Sequence, residues 1–124
     1  MGNACHYHAR IENKTYETLK RTKIELIHGK WDKSPAKVVD KLETSPKWHG
    51  LSETCVAYGI EAKLDYVIEE HDITLQLKFG VPYNADNYSE GHVEGLRKAK
   101  YKLTWTNMPT SGRSHYQTWT LEYA

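Results

Sequence analysis

Several side chains in this sequence are of types that do chemistry, and each makes a different demand on its surroundings. His6 and His8 stand one residue apart, which on a strand puts both imidazoles on one face, as some metal sites begin. A site needs a third ligand, and no partner stands at a telling spacing, so the pair reads as surface or half-buried packing. Cys55 is a candidate nucleophile, but it has no local base and no Gly-rich elbow, so a buried, inert thiol is the expectation. The scattered carboxylates form no nameable acid/base pair, and no P-loop, dinucleotide fingerprint or HExxH motif is present. Asn84, Asp86, Asn87 and Glu90 cluster oxygen atoms, but their spacing does not fit an EF-hand loop and suits an ordinary polar turn. The expectation is a protein that is not an enzyme and needs no cofactor.

The tyrosines of one segment are better placed to bind. In Lys78-Phe79-Gly80-Val81-Pro82-Tyr83-Asn84-Ala85-Asp86-Asn87-Tyr88-Ser89, an alternating strand runs into a loop with two aromatic rings and small polar residues. Pro82 fixes its own φ and so helps set the direction of the Tyr83 ring. Tyr83 and Tyr88 can grip a choline group by cation–π contact or stack on a sugar, and Ser89 adds a hydroxyl. Arg113 sits between Gly112 and Ser114 in an exposed loop, and its guanidinium suits phosphate. Tyr116, Trp31 and Trp48 are further candidates for the rim of such a site.

These residues need a scaffold, and the scaffold reads as strands. Leu64, Tyr66 and Ile68 alternate with Lys63, Asp65 and Val67; after Glu69-Glu70-His71-Asp72, Ile73, Leu75, Leu77 and Phe79 alternate with Thr74, Gln76 and Lys78. That is an antiparallel hairpin with one dry face. Tyr101, Leu103 and Trp105, then Trp119, Leu121 and Tyr123, make a second hairpin around Met108-Pro109-Thr110-Ser111-Gly112. A similar early pair is expected: Tyr7, Ala9 and Ile11, a turn at Asn13-Lys14-Thr15, and a return strand with Thr22, Ile24 and Leu26. The stretch from Trp31 to Leu51 is less regular, punctuated by Pro35, Pro46 and Gly50. No long helical pattern and no repeat is visible. The fold class is all-β, a single antiparallel β-sandwich domain over residues 1–124.

Composition narrows the partners. The 17 Lys and Arg balance 16 Asp and Glu, and neither half is a basic arm, which argues against nucleic acid and against a polybasic membrane contact. Nine Tyr and four Trp against one Phe favour half-wet positions, where a polar tip and an apolar body are both used. No stretch approaches a membrane span and no secretory signal is visible, so the expectation is a cytoplasmic protein with reduced thiols, or one released by a non-classical route. Cys5 and Cys55 could pair, which spacing alone does not decide.

Gly80-Val81-Pro82-Tyr83-Asn84 followed by Tyr88-Ser89, with Leu64-Asp65-Tyr66 and Ile73-Thr74-Leu75 upstream, resembles the actinoporins, the sea-anemone cytolysins, and their fungal relatives. The resemblance implies a β-sandwich that binds the phosphocholine headgroup of sphingomyelin. Carried over by position, Pro82 and Tyr88 match headgroup contacts, Tyr83 matches the aromatic of the same loop, and Gly80 stands where the family has a serine. The residues before the first strand are not the amphipathic helix that builds the family's pore, and Glu90-Gly91-His92-Val93-Glu94 replaces its Trp-rich continuation. Fungal fruit-body lectins share the sandwich and bind glycans, and the small lipid-binding aegerolysins are a looser analogy. The resemblance thus implies lipid-headgroup binding without lysis, with glycan binding or a pore built by a homo-oligomer as the alternatives.

Overall fold

Among the described residues, the alternation becomes ten strands: β1 (Cys5–Asn13), β2 (Leu19–His28), β3 (Lys30–Lys33), β4 (Val38–Val39), β5 (Trp48–Ser52), β6 (Ile60–Ile68), β7 (Ile73–Val81), β8 (Tyr88–Glu94), β9 (Tyr101–Trp105) and β10 (Ser114–Tyr123). The computed structural model describes residues 4–53 and 59–124, and Cys55 lies outside the described residues. The strands form two five-stranded sheets, ordered β3-β5-β1-β10-β9 and β4-β2-β6-β7-β8. They are stacked as a sandwich, with antiparallel pairing except between β1 and β10, which run parallel.

Period two decides the core. β6 buries Ile60, Ala62, Leu64, Tyr66 and Ile68, and β7 buries Ile73, Leu75, Leu77 and Phe79, each from one face. Cross-strand partners such as Leu64 and Leu77 share that face. The facing sheet contributes Tyr7, Ala9 and Ile11 from β1 and Trp119 and Leu121 from β10. The layers meet where the Tyr7 and Phe79 rings stack with centroids 4.1 Å apart.

The buried polar atoms near that contact form a chain. Trp119 Nε1 donates to the Tyr7 hydroxyl (2.9 Å), which donates to Gln117 Oε1 (2.7 Å). Gln117 Nε2 donates to Ser89 Oγ (2.9 Å) and to the Thr106 carbonyl (2.7 Å). Each bond offsets the desolvation that an unpaired polar group would suffer in the core.

The two central and C-terminal hairpins form as expected, but the early one does not. β1 and β2 belong to different sheets, so the connection after Asn13 crosses between layers. Buried Asn13 explains the crossing. Its amide donates to the carbonyls of Glu17 (2.7 Å) and Asp40 (3.1 Å), and its Oδ1 accepts from the Thr15 amide and hydroxyl. A side chain satisfied in this way holds a corner in place of a two-strand turn. In β2, the register shift between Arg21 and Lys23 skips Thr22, and Arg21 takes the place opposite Tyr66 in line with Ile24 opposite Leu64.

Two further expectations change. Trp48 is wholly buried and belongs to the core, not a rim, while Trp31 is half-buried with its edge towards Phe79 at 6.5 Å. Cys5 is disulfide-bonded where a reduced thiol was expected.

Candidate functional site

One end of the sandwich gathers the loop that follows β7 and the loop between β9 and β10. Asn87 joins them. It is 5% exposed, its backbone amide donates to the Thr110 carbonyl (2.9 Å), and its side-chain amide donates to the carbonyls of Pro109 (3.1 Å) and Gly112 (3.0 Å). His115 Nε2 lies 2.9 Å from the same amide nitrogen. The far side of the β9–β10 loop is held as well, because the His6 amide donates to the Arg113 carbonyl at 2.7 Å. Between the loops lies an open groove of about 450 Å³, lined by Tyr83, Asn84, Asp86, Thr110, Ser111 and Arg113 among others. Tyr83 is 49% exposed there. An aromatic ring, a carboxylate and a guanidinium thus line one groove, a set complementary to a ligand carrying both charges.

The other residues picked out in this segment have structural work. Tyr88 is not in the loop; it opens β8, opposite Gly80. Its ring lies over Gly80, where an added Cβ would meet Tyr88 Cε1 at 2.6 Å. Its hydroxyl donates to Glu61, and Lys78 Nζ sits 5.5 Å from the ring centroid. Burial, then the bond to Glu61 and that residue's charge, push the Tyr88 hydroxyl far above its ordinary range, so it remains a donor. Ser89 points into the core, accepting from Gln117. Pro82 is half-buried at the mouth of the loop. Tyr116 lies elsewhere, on the outer face of the first sheet. The structure therefore brings Tyr83 and Arg113 together and separates them from Tyr88, Ser89, Gly80 and Tyr116.

On that outer face the structure assembles a group that the sequence did not reveal. His6 and His8 project from β1, and His49 on β5 is the cross-strand partner of His8. His6 Nδ1 and His49 Nε2 are 2.8 Å apart, and the His8 and His49 rings stack at 4.0 Å. Tyr116 stacks on His8 at 4.4 Å, and Asp32 Oδ2 lies 3.1 Å from His49 Nδ1. Burial, then the proximity of His49, His6 and Lys47, lowers the His8 pKa below its ordinary value and favours the neutral ring. His49 falls in the irregular stretch between Pro46 and Gly50, so only the β1–β5 register could have pointed to it.

Neither a protein-family model nor a curated protein matches this chain in sequence. Solved structures do match in shape. IP-1A from Alcaligenes faecalis aligns over 97% of this chain and 91% of its own, with a TM-score of 0.73 at 12% identity. The lipid binding protein Nakanori aligns over 94% of this chain and 70% of its own (TM-score 0.74, 10% identity). RahU protein, in complex with a TRIS molecule, aligns over 96% and 95% (TM-score 0.72, 14% identity). At these identities the likeness is one of fold.

Proposed function

We propose that this chain is a non-catalytic binding module of actinoporin-like fold that takes a zwitterionic phospho-headgroup of a membrane lipid in the groove between its two end loops. The observation that carries the reading is the joint lining of that groove by Tyr83, Asp86 and Arg113, on loops fastened together by Asn87. Guanidinium pairs with phosphate, and an aromatic face with a nearby carboxylate receives a quaternary or primary ammonium. The lipid-binding neighbour Nakanori supports the reading at the level of fold.

The test is co-sedimentation with vesicles that contain or lack sphingomyelin, each loaded with dye. Wild type should pellet with the sphingomyelin vesicles and leave the dye inside, whereas Tyr83→Ala combined with Arg113→Gln should stay in the supernatant. Dye release would indicate a pore assembled from several copies. Failure to pellet with either vesicle set would refute the headgroup reading and direct the same variant to a glycan array. Tyr88 is left out of the variant because its bond to Glu61 makes its loss a change of structure.

A further inference from the structure

We propose that His6, His8 and His49 form a binding site for one divalent transition-metal ion of the zinc type, held by three imidazole nitrogens on the outer face of the first sheet. This inference does not rest on the headgroup reading, and its ligands are side chains that do not line the groove.

Three features carry the inference. The first is convergence. One ring nitrogen from each histidine lies within 4.8 Å of the other two. Tetrahedral zinc with bonds of about 2.0–2.1 Å needs its nitrogens about 3.3 Å apart. Side-chain rotation closes that gap, because all three residues stand on two hydrogen-bonded strands whose register is already set.

The second is the tautomer. Asp32 Oδ2 accepts a hydrogen bond from His49 Nδ1–H, so a neutral His49 carries its lone pair on Nε2. That lone pair faces His6 Nδ1 at 2.8 Å and accepts a hydrogen bond from its N–H. A metal ion entering between them replaces this N–H···N bond, and His6 needs only to carry its proton on the other ring nitrogen. A carboxylate behind a ligating imidazole is the usual outer partner of a zinc histidine, fixing the ring and raising its basicity.

The third is preorganisation. None of the three rings hangs free in solvent: each is half-buried, and His8 stacks between His49 and Tyr116, contacts that the rotation into ligating geometry exchanges for metal bonds. Three imidazoles without thiolate or ligating carboxylate suit zinc, copper(II) or nickel, and they exclude the oxygen-seeking calcium and magnesium. A three-histidine set also leaves the fourth zinc position for water or an outside ligand.

The test is calorimetric titration of the chelator-treated full chain with zinc chloride at neutral pH. Cobalt(II) absorption serves as a second readout, since tetrahedral nitrogen ligation gives intense visible bands. Wild type should take up one zinc per chain and show those bands. His49→Gln and His8→Gln should each weaken binding by about 100-fold or more and abolish the bands, and Asp32→Asn should weaken it by about 10- to 100-fold. His92→Gln, an exposed histidine on the opposite sheet, should change nothing. Circular dichroism of each variant separates a lost ligand from a lost fold, and Asp32→Asn, which keeps all three imidazoles, carries the test if a histidine variant unfolds. Absence of stoichiometric uptake by wild type, or uptake that survives His49→Gln, would overturn the proposal.

Discussion

The outer faces of the two sheets are built from the same alternating pattern, yet they are different kinds of surface. On the second sheet, Lys63 stands opposite Lys78, Lys78 opposite Glu90, and Gln76 opposite His92. Lys78 Nζ and His92 Nε2 each lie 4.0 Å from a Glu90 carboxylate oxygen, and all three side chains are more than a third exposed. Such pairs contribute little to stability. On the first sheet, the same outward positions carry His6, His8, His49 and Tyr116, which stack ring on ring at 4.0 to 5.1 Å along the series His6–His49, His49–His8 and His8–Tyr116. One face is a solvated skin, and the other is an organised cluster. Alternation in a sequence marks a face as outward; the neighbours across the strands decide whether that face can do anything.

Four measurements break or sharpen this contrast. The largest effect should come from zinc: at a free concentration one hundred times its Kd, the ion should raise the unfolding free energy of wild type by about 2.7 kcal/mol. Urea denaturation should show the gain intact in His92→Ala and gone in His49→Ala; an equal gain in both would erase the distinction between the faces. Without metal, His8→Ala should cost about 1–2 kcal/mol through loss of its close stacking on His49 and Tyr116. His92→Ala, by contrast, should stay within about 0.5 kcal/mol of wild type. Matching urea midpoints for these two variants would mean the stacks carry no stability.

Tyr88→Phe probes an organised spot on the second sheet. It removes the donor to Glu61 while keeping the ring over Gly80, and should cost about 1 kcal/mol in thermal or chemical unfolding. No change would show that the ring alone holds that corner. The smallest effect belongs to Lys78 and Glu90. A double-mutant cycle should return a coupling of at most about 0.5 kcal/mol that shrinks with added salt, as expected of an exposed pair. A larger coupling would give the second face an organisation of its own.

Legibility differed sharply between fold and site. The β6–β7 and β9–β10 hairpins could be read directly, because Leu64/Tyr66/Ile68 and Trp119/Leu121 repeat at the period that burial imposes on a strand. The early hairpin misled because Asn13-Lys14-Thr15 has turn chemistry in either case. Whether the chain returns to its own sheet or crosses to the other depends on the carbonyls of Glu17 and Asp40 that Asn13 finds. Tyr88 misled for a related reason. Polar loop residues run up to it without a break in composition, and only its pairing with Gly80 shows that β8 has begun. Of the candidate ligand residues, Tyr83 and Arg113 were recognisable by type and loop setting, but their shared groove depends on the bonds Asn87 makes to Pro109 and Gly112.

The amino-acid sequence by itself determined the class of this protein. Apolar residues at every second position over short runs make strands with one dry face, and with no long helical run in the sequence to cover it, that face is buried by another sheet. The tertiary structure decided what the outward residues became. His6 and His8 were visible as a pair, but His49 and Asp32 reach them only through the pairing of β1 with β5 and β5 with β3. Register between strands far apart in the chain is set by the whole core, and no local spacing encodes it.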